Sequence, residues 1–108
     1  MTQPPDDEGT PQTSPSSHGA LVRDIAITNK RGLHARASAK FVQMVERFDA
    51  EVAVTRNGET VGGTSIMGLM MLSAGPGTSV TVSATGAQAR EVIEALTTLV
   101  TTKFGEEE

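Results

Sequence analysis

Each strand and both long helices that the sequence predicts are apolar on one face only, and this limits the folds open to the chain. Alternating apolar and polar residues predict four strands, at Arg23–Thr28, Glu51–Arg56, Glu59–Gly62 and Ser79–Ala84. Helical spacing of apolar residues predicts three helices, at Ala35–Phe48, at Ser65–Leu72 and from Thr85 to near Lys103. One-faced elements must bury that face against another layer. We therefore expect an α+β fold, an open-faced β-sandwich in which a four-stranded antiparallel sheet carries all three helices on one face.

Short motifs mark where several of these segments begin and end. Asn57-Gly58, between the second and third predicted strands, is typical of a two-residue hairpin turn. Ser65 is placed to cap the short helix, and Thr85 with Gln88 forms a capping-box pattern that predicts the start of the last helix. The residues that the two long helices are expected to bury are Ala37, Phe41, Met44, Val45, Phe48, Ala89, Val92, Ile93, Leu96, Leu99 and Val100.

The composition removes whole classes of function. The chain has no cysteine, which excludes disulfide frameworks, thiolate catalysis and Cys-ligated metal sites. Its only aromatic residues are three phenylalanines, so the core must be built mainly from aliphatic side chains and methionine. No apolar stretch approaches the roughly 20 residues of a membrane helix. No Lys or Arg precedes Arg23, which argues against a secretory signal, and we expect a cytoplasmic protein with no membrane insertion.

Charge and proline content divide the chain into regions. The net charge is −4, but residues 20–105 hold nine Lys and Arg against seven Asp and Glu, a balance of +2. This bias is too weak to indicate nucleic-acid binding, although it leaves room for a local anion site. Four of the five prolines lie in the first fifteen residues. We therefore expect residues 1–19 to be a disordered tail, residues 20–105 to form the domain and residues 106–108 to be an acidic end.

The domain contains one histidine, at the point where the first long helix begins. His34 stands in KRGLHARAS, after Gly32 and directly before the helix. Helix N-termini present unsatisfied backbone N–H groups and favour anions, phosphate in particular. Arg36 lies in the first turn, where a cation opposes the helix dipole by about 0.3–1 kcal/mol but its guanidinium could clamp a phosphoryl oxygen. His34 as a neutral nucleophile with Arg36 as phosphate partner is one interpretation; a plain capping histidine and a solvated arginine are the other.

The sequence does not contain the other catalytic and ligand-binding motifs that an enzyme built around this histidine would need. No Ser/His/Asp set, metal-ligand cluster or nucleotide-binding loop is evident. A stand-alone enzyme for phosphoryl transfer needs metal ligands and a donor site. We therefore expect no metal and no cofactor, and a chain of this kind could instead carry a phosphoryl group between larger partners that have them.

A second candidate site is the methionine-rich segment GGTSIMGLMML, residues 62–72. One side of a short helix cannot bury all its apolar side chains, and Leu69 and Leu72 fit the core best. The residues expected to stay exposed, as a docking surface for partners, are Ile66, Met67 and Met70. The alternative is that all of them are buried, since the chain has few aromatic residues. A phosphate on Ser65 would lie at the beginning of this helix.

GLHARAS, the later TSIMGLMML and the Asn-Gly hairpin together resemble the HPr family, the histidine phosphocarriers of the bacterial phosphoenolpyruvate-dependent phosphotransferase system. The resemblance covers about Ala20–Phe104. It implies the open-faced sandwich, phosphorylation of His34 through Nδ1, Arg36 as the phosphate partner and Ser65 as the regulatory serine. The family usually has proline where this chain has Ala37, which we expect to soften the helix entry slightly.

The resemblance also implies partners and leaves two other functions to compare. The implied donor is phospho-enzyme I, the acceptors are EIIA-type domains, and an HPr serine kinase/phosphorylase would act on Ser65, in sugar transport or in nitrogen-related regulation. We expect a monomer that binds no nucleic acid. A purely regulatory module with a vestigial His34 is disfavoured because Arg36 is retained beside it. A small-ligand binding domain is disfavoured because the sequence suggests no buried polar set.

Overall fold

The computed structural model describes residues 20–106, and the helices and strands there follow the predicted order. They are β1 (Leu21–Ala26), α1 (Ala35–Val45), β2 (Glu51–Arg56), β3 (Glu59–Gly62), α2 (Ile66–Met71), β4 (Ser79–Thr85) and α3 (Ala89–Thr101), followed by a tight turn at Lys103–Gly105. The predicted tail and the last two residues of the predicted acidic end lie outside the described residues. No helix within residues 20–106 has the length and apolar content that crossing a membrane requires.

The four strands form one antiparallel sheet in the order β1-β4-β2-β3. Val54 of the central strand β2 lies opposite Val82 of β4. Asn57 and Gly58 join β2 to β3, and their φ angles of 52° and 79° are both positive. A type I′ turn requires positive φ at both central residues, because its twist then matches that of the strands. The predicted hairpin is confirmed.

One face of the sheet packs against the helices and forms the core, while the opposite face is polar. On the polar face the hydroxyl of Thr81 donates to Asp24 Oδ1 at 2.6 Å, and the hydroxyls of Thr55 and Thr60 lie 2.7 Å apart. The predicted α+β open-faced sandwich is therefore confirmed. The side chains that α1 and α3 bury against the sheet include Ala37, Phe41, Val45, Ala89, Val92, Ile93, Leu96 and Val100, with Met44, Phe48 and Leu99 partly buried.

Several element boundaries differ from the prediction by a few residues, and those of β1 and α1 show why. β1 begins at Leu21, two residues earlier than predicted, because its ladder with β4 starts at the pair Leu21–Ala84. α1 ends at Val45 rather than Phe48, and the residues after it form a tighter turn in which Phe48 N donates to Val45 O at 3.2 Å. Phe48 still packs against the core. The apolar pattern therefore continues beyond the regular helix.

The capping box predicted at Thr85 and Gln88 is wrong. Thr85 is the last residue of β4, and α3 begins at Ala89 without a side-chain cap. Gln88 binds the loop before β2 instead: its backbone N donates to Asp49 O at 2.9 Å, and its Oε1 accepts from Asp49 N at 2.7 Å. The contact with the distant residue Asp49 thus occupies the Gln88 side chain, which the capping box would have required.

Candidate functional site

His34 is the N-cap of α1, at the helix start that the sequence predicts. Its backbone is extended, with φ −73° and ψ −179°, and its Nδ1 accepts a hydrogen bond from Arg36 N at 3.2 Å. His34 O accepts from Ser38 N at 2.8 Å, which begins the helical ladder. A neutral imidazole nitrogen that accepts a hydrogen bond carries a lone pair and no proton. Nδ1 is therefore the unprotonated ring nitrogen of His34.

A glycine brings this histidine against the loop between α2 and β4. Gly32 has a φ of 64°, and a Cβ there would lie 2.3 Å from Ala74 O. The next residue, Leu33, donates its backbone N–H to Ala74 O at 3.0 Å and buries its side chain in the core. Only glycine combines that backbone conformation with so close an approach. Gly32 therefore fixes where the chain enters His34.

The second ring nitrogen meets a carboxylate that the sequence does not predict. His34 Nε2 lies 2.6 Å from Glu106 Oε2, and Glu106 Oε1 accepts from Asn29 Nδ2 at 3.2 Å. The side chains of His34 and Glu106 are only 16% and 17% exposed, and Asn29 is fully buried. An ionised carboxylate can only accept, so Nε2 carries the ring proton. Both contacts of the ring therefore indicate the same tautomer, in which Nε2 is protonated and Nδ1 is not.

The sequence contains a signal that could have identified Glu106, although it falls in the predicted acidic end. Phe104 is one of only three aromatic residues, and it is followed at once by Gly105, just after the last helix. An aromatic residue is a strong candidate for the core, and a glycine beside it allows the chain to turn. Together they predict that the chain folds back and carries Glu106 onto the domain. Asn29 has no comparable signal.

Arg36 and Arg31 supply positive charge near His34. Arg36 is exposed, and within residues 20–106 its guanidinium forms no hydrogen bond or ion pair. Arg31 is also exposed and lines, together with His34 and Met70, an open cavity of about 320 Å³. An anion held at this cavity would therefore lie beside Arg31, and Arg36 adds a second exposed cation two residues after His34 in the chain.

Four apolar side chains on α2 are exposed, and we call them the methionine patch: Ile66 (40% exposed), Met67 (69%), Met70 (39%) and Met71 (65%). The exposure of the first three is predicted by the sequence, whereas that of Met71 is not. Leu69 and Leu72 are buried, as predicted. Because Met70 lines the same cavity as His34, the patch and the histidine adjoin each other.

Ser65 is the N-cap of α2, as predicted. Its Oγ accepts from Gly68 N at 2.9 Å, and the residue is exposed. It lies at the opposite end of the short helix from Met70, which lines the cavity beside His34. A change at Ser65 therefore acts on the surroundings of the methionine patch rather than on the imidazole directly.

Comparison with known proteins identifies the family. Residues 21–102 match the family model described as the PTS HPr component phosphorylation site. The chain belongs to the HPr family. A phosphocarrier protein HPr from Cupriavidus necator is 49% identical over 88 residues, which are 82% of this chain and 99% of that protein. A phosphocarrier protein HPr from Neisseria meningitidis serogroup A is 51% identical, with the same coverage of both chains.

A solved HPr structure agrees with the fold. The HPr-C-His structure from Thermoanaerobacter tengcongensis superposes with a TM-score of 0.78 at 42% identity, and the match covers 82% of this chain and 99% of that one. The resemblance of the sequence to the HPr family is thereby confirmed. The chain is an HPr-type phosphocarrier of the phosphotransferase system.

Proposed function

We propose that His34 carries the phosphoryl group, which it accepts from phospho-enzyme I and passes to an EIIA-type domain. The observation that supports this most directly is the geometry of Nδ1. It is the unprotonated ring nitrogen at the N-terminus of α1, where it accepts a hydrogen bond from the backbone N–H of Arg36. The chain acts as a carrier with a phosphohistidine intermediate rather than as a stand-alone enzyme.

The transfer uses groups that surround Nδ1. The Nδ1 lone pair of His34 attacks the phosphorus, a nitrogen–phosphorus bond forms, and the bond to the donor breaks with its electron pair going to the donor. The backbone N–H of Arg36, which donates to Nδ1 at 3.2 Å, is then free to donate to a phosphoryl oxygen. The Arg36 guanidinium adds charge-assisted hydrogen bonds to the same group. The positive end of the α1 dipole favours the phosphoryl group once it is attached.

The methionine patch supports a role in docking. Exposed methionines adapt to partners of different shape, and this patch adjoins His34 at their shared cavity. Enzyme I and the EIIA-type domain would each cover Ile66, Met67 and Met70 while reaching the histidine. We propose that the chain meets both partners as a monomer in the cytoplasm.

The test is phosphoryl transfer in a purified system. The protein is incubated with enzyme I and phosphoenolpyruvate, and its intact mass is followed. We expect the mass of one phosphoryl group to be gained and to be lost after acid treatment, as for a phosphohistidine. A digest kept at alkaline pH locates the group. A gain that survives acid, or one on a hydroxyl residue, contradicts the proposal.

Arg36→Ala is expected to slow transfer without weakening the fold. The exposed guanidinium packs little, and its removal relieves an unfavourable interaction with the helix dipole of about 0.3–1 kcal/mol. Loss of these charge-assisted hydrogen bonds to the phosphoryl group should lower the initial rate about hundredfold. The matched control is Arg90→Ala, which removes an exposed arginine from α3. Equal rates for the two variants would remove Arg36 from the site.

We further propose that phosphorylation of Ser65, by an HPr serine kinase/phosphorylase, regulates docking. Ser65 is exposed and directly precedes Ile66 of the methionine patch. A phosphate would place about −1.5 to −2 charges beside that apolar surface. A partner that buries the patch would have to desolvate this charge or pair it with a cation.

Ser65→Asp is expected to fold normally, to bind enzyme I more weakly and to take up phosphate at His34 more slowly. The matched control is Ser65→Asn, because asparagine has the same shape and also caps helices well but carries no charge. Circular dichroism reports the fold, and titration calorimetry with enzyme I reports binding. If the two variants bind equally well, Ser65 acts only as a cap.

A further inference from the structure

Glu106 reaches the histidine through a short segment, Lys103–Glu106, which we call the C-terminal strap. After α3 ends, Lys103, Phe104 and Gly105 adopt φ angles of 58°, 56° and 75°. Residues with a Cβ are rarely found in this left-handed region and stay there only when their surroundings hold them. Two such residues in a row indicate that the strap is held in place by contacts outside itself.

Those contacts join the strap to α1 and to the core. The Phe104 ring is buried, with 1% exposure, and Phe104 O accepts from Lys40 Nζ at 2.7 Å. Within the strap, Glu106 N donates to Lys103 O at 2.9 Å. The conformation of the strap is therefore fixed at its middle and at its end. As a result, the Glu106 carboxylate lies beside His34, 72 positions earlier in the chain.

At the histidine the carboxylate is held by both of its oxygens. Oε2 lies 2.6 Å from His34 Nε2, and Oε1 accepts from Asn29 Nδ2 at 3.2 Å. The fully buried Asn29 is itself oriented, because Nδ2 also donates to Gly32 O at 2.8 Å. A carboxylate with both oxygens bound and little exposed surface has a defined direction, and here that direction is toward the Nε2 proton.

We propose that Glu106 is a positioning residue for phosphoryl transfer: it holds the Nε2 proton of His34, fixes the ring plane so that Nδ1 faces the donor, and offsets the charge the ring gains on phosphorylation. This rests on the proposed function of His34. When Nδ1 forms its bond to phosphorus, the ring keeps the Nε2 proton and becomes cationic, and no proton has to leave. A carboxylate at 2.6 Å stabilises that product more than it stabilises the neutral ring.

The buried side-chain amide of Asn29 has a structural role in this arrangement. Asn29 does not touch the imidazole, but its Nδ2 donates both to the carboxylate of Glu106 and to the loop that contains Gly32. Since Gly32 sets the entry of the chain into His34, one side chain ties the carboxylate and the histidine-bearing loop to the same point. The distance between Glu106 and His34 is thus set by the fold rather than by a surface encounter.

The experiment compares the full-length protein with Glu106→Gln, which keeps the size of the side chain and removes its charge. The control is Glu94→Gln, which removes an exposed carboxylate from α3. Two readouts are taken: the proton NMR signal of His34 Nε2–H in the free protein, and the initial rate and final extent of phosphate uptake from enzyme I and phosphoenolpyruvate.

We expect the parent protein and Glu94→Gln to show a slowly exchanging, strongly downfield Nε2–H signal that Glu106→Gln loses. We expect Glu106→Gln to take up phosphate about tenfold more slowly, which is the low end of the loss seen when the carboxylate partner of a metal-ligating histidine is removed, and to a lower final extent. An unchanged signal, or an unchanged rate and extent, overturns the proposal. If the parent takes up no phosphate while its signal is as expected, the proposed function of His34 fails and the pairing with Glu106 stands.

Discussion

His34→Ala is expected to take up no phosphoryl group from enzyme I and phosphoenolpyruvate. Alanine offers no nucleophilic atom, and within residues 20–106 no second imidazole is present to replace Nδ1. The variant also loses a helix cap, for which about 0.5–2 kcal/mol of stability is typical. That loss leaves a domain of ordinary stability folded, so the missing uptake is a chemical effect. Intact mass spectrometry in the presence of a catalytic amount of enzyme I measures it directly.

The matched control for this variant is His18→Ala. His18 is the only other histidine of the chain and precedes the described residues. We expect His18→Ala to gain one acid-labile phosphoryl group, as the parent does. If His34→Ala is labelled while His18→Ala is not, the phosphorylated histidine has been wrongly assigned. Circular dichroism on both variants must accompany the measurement, so that unfolding is not mistaken for lost chemistry.

Phe104→Ala is expected to cost about 3–5 kcal/mol of unfolding free energy, the usual range for removing a buried aromatic side chain. The ring is 1% exposed and belongs to the core, although it lies beyond the last helix. A small domain has only about 5–15 kcal/mol in total, so the variant should unfold at a much lower urea concentration. Urea titration followed by circular dichroism gives the value.

Phe104→Leu separates the loss of volume from the loss of the aromatic ring. Leucine fills most of the same space, so we expect it to cost about 1–2 kcal/mol, clearly less than alanine. If Phe104→Ala changes the stability by less than about 0.5 kcal/mol, the residue behaves as a surface residue. Its burial, and the strap that depends on it, would then be contradicted.

Much of the fold follows from local patterns in the sequence. The hairpin at Asn57-Gly58 is predicted because those two residues adopt positive φ more readily than others, and the turn needs nothing else. His34 and Ser65 are predicted as helix caps because each stands just before an apolar helical pattern. The Gln88 prediction fails for the same kind of reason: its motif is local, but Asp49, 39 residues away, offers a better partner.

The sequence by itself determined the one-faced elements, their order, and the histidine and arginine at the start of α1. These features depend on residues that are close to one another in the sequence. Only the tertiary structure decided that Glu106 meets both His34 and Asn29, because those contacts join positions 72 and 77 residues apart. The strap that closes this distance adopts a backbone conformation that its own residues disfavour. It is stable because Phe104 is buried and Lys40 binds its carbonyl, and both are contacts that exist only once the domain has folded.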